Sequence, residues 1–146
     1  MTRIRRIREK DCGKEFKTGN HEFDFDQYGK KLDLSFYYER DKSGKYESYV
    51  LKERGEILGV LCIQKQEDCL YLSRIGVKKR HTGKGYGFKL MMLVLEKAVE
   101  YGKKKITCKA REEVQEFFES MGFKKKKVYY DPHWGKSAMM KLELKN

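Results

Sequence analysis

Between residues 78 and 91 the chain reads KKRHTGKGYGFKLM, three alternating glycines set among lysines and an arginine. The segment that follows, FKLMMLVLEKAVEYG over residues 88–102, is apolar on nearly every side until its charged final turns. A helix of that composition has to be buried against a sheet. The glycine turn then lies at its N-terminus, where unpaired backbone N–H groups and the positive end of the helix dipole attract an anion. Glycines at 83, 85 and 87 let the backbone approach a ligand closely and adopt positive φ. Lys84 adds charge, with Arg80 and Lys79 nearby. Gly102 suits the C-terminal cap, and the three lysines after it suit the negative helix end.

The flanking sequence supplies the sheet. Tyr46 to Gln66 predicts two strands around a tight turn at Arg54-Gly55, and Cys69 to Val77 a third antiparallel strand after the polar Glu67-Asp68 turn. Beyond the buried helix, Lys105 to Ala110 alternates with Ile106, Cys108 and Ala110 on one face. REEVQEFFESMGF then places Val114, Phe117, Phe118 and Met121 at helical spacing, with acidic residues in the first turn and Gly122 at the end. Lys124 to Lys127 lead into Val128-Tyr129-Tyr130, and after Asp131-Pro132 the tail alternates Met140, Leu142 and Leu144, so two strands close the chain. Arg3 to Arg8 fits an edge strand, and the irregular stretch from Asp11 to Arg40 fits one or two short helices. The resulting fold class is α/β (α+β): a mixed, mostly antiparallel sheet of six to seven strands flanked by helices.

With 146 residues, no internal repeat and no linker, residues 1–146 form one domain. The net charge of +12 points to an anionic partner, and the stretch from Arg74 to Lys109 holds eleven Lys or Arg against two Glu. The four cysteines form no C-x-x-C pair and the three histidines are scattered, which argues against a metal site and against a disulfide framework. Cys62 and Cys69 could face each other on neighbouring strands, although buried thiols more often serve as small apolar residues. No secretory h-region or membrane-spanning run is present, so the expected location is the cytoplasm, with no membrane partner.

Two common phosphate loops are excluded. G-x-x-x-x-G-K-[ST] is absent, and G-x-G-x-x-G fails because the third glycine follows the second by two residues. What stands is Arg80-x-x-Gly83-x-Gly85-x-Gly87, after a strand ending in Ile75-Gly76-Val77 and before a long buried helix. This arrangement resembles the signature (R/Q)-x-x-G-x-(G/A) of the GNAT superfamily of acyl-CoA-dependent N-acyltransferases. "FFESMGF" likewise resembles that family's "FYEKxGF", and the order of elements is similar from about Tyr46 to Leu144.

The resemblance implies acetyl-CoA as cosubstrate and a direct attack of a primary amine on its thioester in a ternary complex. It implies that the strand over Leu70–Val77 splays from its neighbour after a bulge, with Gly76 permitting the irregularity. The backbone of Ile75 and Val77 would pair with the pantetheine arm and polarise the thioester. The turn Arg80, His81, Thr82, Gly83, Lys84, Gly85, Tyr86 and Gly87 would hold the pyrophosphate. Two positions depart from the family. Phe118 stands where many members carry the tyrosine that protonates the leaving thiolate, and Arg111 stands where an asparagine is common. Tyr129 and Tyr130 are the replacement candidates, Tyr86 lies in the loop itself, and solvent could also serve. Asp131 and His133, on the turn between the last two strands, are candidate bases, with Glu56 weaker. Trp134, with Tyr129, Tyr130 and His133 beside the Lys124–Lys127 run, suits an acceptor wall, a stacking surface for nucleic acid or a partly packed strand turn.

Acceptors compatible with the resemblance are a small amine, a protein amine or an aminoacyl-tRNA. The last is suggested by basic toxins of this fold, which the Phe16–Asn20 stretch faintly resembles. A homodimer is common in the family. The alternative reading is a non-catalytic module on the same fold that binds RNA or another polyanion, or that senses CoA.

Overall fold

At Arg54 and Gly55 the backbone turns through φ of 52° and 80°, the left-handed pair that matches the twist of a two-residue hairpin. The computed structural model, which describes residues 2–12, 34–78, 83–132 and 134–145, builds its sheet outward from this hairpin. Strands β2 (Glu47–Glu53) and β3 (Glu56–Lys65) form the hairpin. β1 (Thr2–Arg6) pairs with the outer side of β2, and β4 (Cys69–Val77) pairs with β3. The chain crosses over through α2 (Tyr86–Glu100) to β5 (Lys105–Arg111), and through α3 (Glu112–Ser120) to β6 (Lys124–Asp131) and β7 (Gly135–Glu143). The order across the sheet is β1-β2-β3-β4-β5-β7-β6, antiparallel at every pair except the parallel β4–β5. This is the mixed, mostly antiparallel sheet expected from sequence, with seven strands and with β1 at one edge.

Two cores lie on opposite faces of the sheet. Under α2 and α3, Leu90, Met91 and Val94 pack on Leu51, Leu61, Ile63, Leu70 and Ile106. On the other face, Leu34 and Tyr37 of α1 (Leu34–Lys42) cover Val50, Val60 and Cys62. Burying one such aliphatic side chain stabilises the fold by about 1.5–3 kcal/mol. α1 answers to one of the short helices expected before Arg40. The reading of Phe16–Asn20 falls outside the described residues.

The register settles three further expectations. Arg74, not Cys69, stands opposite Cys62, and both thiols are buried and free. Lys124 to Lys127 do not merely lead into a strand but form the exposed first half of edge strand β6, where solvated lysines discourage pairing with another chain. α2 begins at Tyr86, two residues before Phe88, because Gly85 takes the N-cap with φ 83°.

Candidate functional site

The two strands that meet at the centre of the sheet stay together for only four residues. Cys69–Leu72 of β4 pair with Lys105–Cys108 of β5, and past Leu72 and Cys108 the ladder ends. The cause lies in β4. Ile63 pairs with Leu72 but Cys62 pairs with Arg74, so Ser73 is an extra residue that bends the strand. The irregularity is therefore at Ser73. Gly76 sits in regular register opposite Val60 and does not supply it. The gap opens into a cavity of about 830 Å³ that passes between the splayed strands and joins the two faces of the sheet.

At one end of this cavity stand Gly83, Gly85, Tyr86, Gly87 and Phe88 at the start of α2. Gly83 and Gly85 have φ of 82° and 83°, which only glycine adopts without strain, whereas Gly87 is already within the helix. An N-cap glycine brings no side-chain oxygen, so the N–H groups of the first turn keep no side-chain cap. The Tyr86 hydroxyl donates a hydrogen bond to Glu53 of β2. That bond lowers the Glu53 pKa and raises that of Tyr86, so the hydroxyl ties α2 to the hairpin. Along the gap, Ile75, Gly76 and Val77 line the opening, and Ile75 and Val77 also pack against the core beneath α2.

The other end lies on the face of α1. The bulge puts Ser73 and Arg74 on the same side of β4, together with Tyr71. Arg40 of α1 donates to Ser73 Oγ at 2.7 Å, and its guanidinium lies 4.6 Å from the centre of the Phe36 ring and 4.4 Å from that of Tyr46. Arg74 lies 5.1 Å from the Phe36 ring. Tyr71 is pushed to a higher pKa, first by burial and then by its neighbours Cys108, Tyr129 and Tyr46, with Arg40 opposing. Tyr129 is raised as well, by burial first and by Asp131 second, with Ser137 across the ladder acting the other way.

The candidate side chains at the last turn separate by strand alternation. Tyr129, Asp131 and Trp134 line the cavity, and Asp131 Oδ1 accepts the Trp134 backbone N–H at 3.0 Å. Tyr130, one step along β6, is 74% exposed and points to solvent. Phe118 is buried between the rings of Phe117 and Phe123, at centroid distances of 5.3 and 5.4 Å, and carries no hydroxyl to the cavity it borders. Arg111 pairs with Glu113 at 2.9 Å across the start of α3. Glu56 pairs with Lys78 at 2.9 Å and does not line the cavity. Lys79, Arg80, His81, Thr82 and His133 lie outside the described residues.

Tyr71, Arg40 and Arg74 are the residues that sequence reasoning passed over. A signal existed for the first: polar Tyr71 and Ser73 alternate with Leu70 and Leu72, a pattern that turns them to the opposite face. Arg74 breaks that alternation, and only the register shift at Ser73 reveals its side. Among the described residues, no His, Cys, Asp and Glu group could hold a metal ion, and no helix is long and apolar enough to cross a membrane.

Known proteins share the family and the fold of this chain. The family model described as "Acetyltransferase (GNAT) family" matches residues 4–123. A search of curated proteins gives no match. Among solved structures, the chain is similar to Ard1 from Thermoplasma volcanium, with 14% identity, TM-score 0.78 and 99% of each chain covered. It is similar to the ribosomal-protein-S18-alanine N-acetyltransferase of Escherichia coli, with 16% identity, TM-score 0.73 and 98% of this chain and 94% of that one covered. A GNAT family acetyltransferase from Elizabethkingia anophelis with acetyl-CoA bound gives 16% identity, TM-score 0.68 and 98% of each chain covered. At these identities the structural likeness is one of fold.

Proposed function

We propose, on the premise that this chain belongs to the GNAT family of acetyltransferases, that residues 1–146 act as one N-acetyltransferase domain moving an acetyl group from acetyl-CoA to a primary amine. The observation that carries this is the through-sheet cavity. It leads from an uncapped helix N-terminus among lysines, past an unpaired strand edge, to a group of tyrosine and arginine side chains on the opposite face.

Each part has a chemical use. Backbone N–H groups of Gly83, Lys84, Gly85 and Gly87 would receive the pyrophosphate, with Arg80, His81, Thr82 and Tyr86 completing the turn. The β5-facing edge of β4, at Ile75 and Val77 beside Gly76, would pair with the pantetheine arm. An N–H there would also donate a hydrogen bond to the carbonyl oxygen as negative charge grows on it. The neutral amine attacks the carbonyl carbon, the C–N bond forms, the C–S bond breaks, and sulfur leaves as a thiolate. The ammonium proton goes to Asp131 or His133, and the thiolate takes a proton from Tyr129 or from water. Of the two tyrosines considered from sequence, Tyr129 is favoured because Tyr130 is exposed. Burial and the nearby Asp131 keep the Tyr129 hydroxyl protonated, the form an acid requires.

A second reading rests on β6, where four consecutive exposed lysines adjoin exposed Val128 and Tyr130, a surface that could bind RNA without catalysis. One series separates the two. Thermal unfolding is followed with acetyl-CoA, CoA, ATP or a short RNA, each at two salt concentrations. A ligand at a hundred times its Kd adds about 2.7 kcal/mol of apparent stability. The enzyme reading expects a shift with acetyl-CoA and CoA that ATP does not reproduce, followed by release of the CoA thiol when amines are added. A salt-sensitive shift with RNA alone would replace it with the binding module.

A further inference from the structure

The α1 end of the cavity is cationic and rigid, and the reaction alone requires neither property. An amine acceptor enters as an ammonium ion, which two arginines would repel. Yet Arg40 and Arg74 both line the cavity. Arg40 is held in place by the rings of Phe36 and Tyr46 and by its bond to Ser73 Oγ, and Arg74 stands on the same face beside the Phe36 ring. No carboxylate among the described residues forms an ion pair with either guanidinium. Arg111, also at the cavity wall, is by contrast paired with Glu113. Ser73 occupies part of one edge of Arg40, and a guanidinium has five N–H donors.

The bulge gives this arrangement its specificity. In a regular strand, the residue after Ser73 would face α2. The extra residue keeps Arg74 on the α1 side, so one irregularity both opens the gap and sets a second cation on the face where Arg40 of α1 already stands. The opposite charge enters from another element. Asp131, at the end of β6, lines the same cavity and accepts the Trp134 N–H. The mouth is therefore polar in two senses, with cations on α1 and β4 and a carboxylate on β6.

We infer that the acceptor is a small amine that also carries an acidic group, a carboxylate or a phosphate, which Arg40 and Arg74 receive while the amino group lies toward Asp131. Planar guanidinium forks match both oxyanions. The part of the acceptor that enters is small, because one volume of about 830 Å³ has to admit the pantetheine arm as well. This inference rests on the acetyltransferase reading.

The test uses the full chain saturated with CoA, and calorimetry with matched ligands: 4-aminobutyrate against butylamine, O-phosphoethanolamine against ethanolamine, and glycine against glycinamide. The acidic member of at least one pair should bind tenfold or more tightly than its neutral-tailed partner. The carboxylate and phosphate pairs decide which oxyanion is taken. Arg74→Gln should remove that preference while the CoA-induced thermal shift stays as in the parent. Arg40→Gln should do the same, and Arg40→Lys, which keeps the charge, should retain part of it, so that lost charge is distinguished from lost packing. Equal or better binding of the neutral-tailed amines overturns the inference. So does a preference indifferent to both arginines, or no saturable binding by any acidic member. Binding of a short RNA that Arg74→Gln abolishes would also overturn it, in favour of a polynucleotide acceptor. Failure of the chain to bind CoA at all would be a different result, and would strike the acetyltransferase reading itself.

Discussion

Tyr129 and Tyr130 are chemically identical and adjacent, and one step of strand alternation gives them different fates. Tyr129 faces the cavity, where burial and Asp131 raise its pKa above the ordinary 10, while Tyr130 stands in solvent. If Tyr129 is the acid, Tyr129→Phe should lower kcat by about 10²-fold without raising the KM for acetyl-CoA, and Tyr130→Phe should do neither. The acid works protonated, so rate is lost as pH rises through its pKa, and that alkaline limb lies above 10. Asp131→Asn removes the negative charge that opposes ionisation and should move the limb to lower pH. A limb unmoved in Tyr129→Phe would transfer the role to water. Cys108, which also lines the cavity, shows the effect of burial alone. Its thiol is pushed from 9 up to about 12 by burial alone. Between those values the unfolded chain loses this proton and the folded one keeps it, so the contribution is complete below 9 and is lost as pH rises toward 12. Urea midpoints should therefore fall less steeply with alkaline pH in Cys108→Ala than in the parent. The same thiol should stay inert to charged disulfide reagents at neutral pH until the chain unfolds.

Elements were legible in the sequence where local rules agree. Glycine turns, alternation in β4 and β5 and the apolar run of α2 each point one way, and their boundaries fall within a few residues of expectation. The splay was reached only through the family resemblance. Its physical origin was misplaced, because a bulge has no composition of its own: Ser73 is an ordinary strand residue until its neighbour's register is known. The same holds for Gly59 of β3, which no local sequence rule singles out. An added Cβ there would meet Leu90 Cδ1 at 3.0 Å and the Gly76 carbonyl oxygen at 3.4 Å, so the close seating of α2 on the sheet depends on its absence. Gly59→Ala should cost about 1–3 kcal/mol in urea unfolding. Leu90→Ala, which empties a fully buried site, should cost about 2–5 kcal/mol. Because both act at one contact, the double variant should lose less than the two together. Gly85→Ala belongs to the same element and should act mainly on function. It forces a Cβ into φ 83° at the N-cap, so the first turn shifts and affinity for acetyl-CoA should fall while the fold survives.

For the molecule as a whole, 34 Lys and Arg against 22 Asp and Glu raise a positive field that a polyanionic cosubstrate meets before it touches any residue. Contact and field can be separated by salt. The screening length is about 10 Å at 0.1 M and about 3 Å at 1 M, so steering fades over that range while contacts inside the cavity persist. The value of kcat/KM for acetyl-CoA should fall roughly tenfold between those concentrations, with kcat nearly constant. The location of the charge then matters. Lys84, beside the α2 N-terminus, should account for more of the salt dependence than the exposed lysines of β6, which lie at the far edge of the sheet from β1 and do not line the cavity. Lys84→Glu should lower kcat/KM at low salt and flatten its salt dependence, and Lys125→Glu with Lys126→Glu should alter both only slightly. If the β6 pair proves the more sensitive, the charge of that edge has its own anionic partner. RNA binding lost in the same β6 variant, with turnover intact, would show the two surfaces to be separate functions on one sheet.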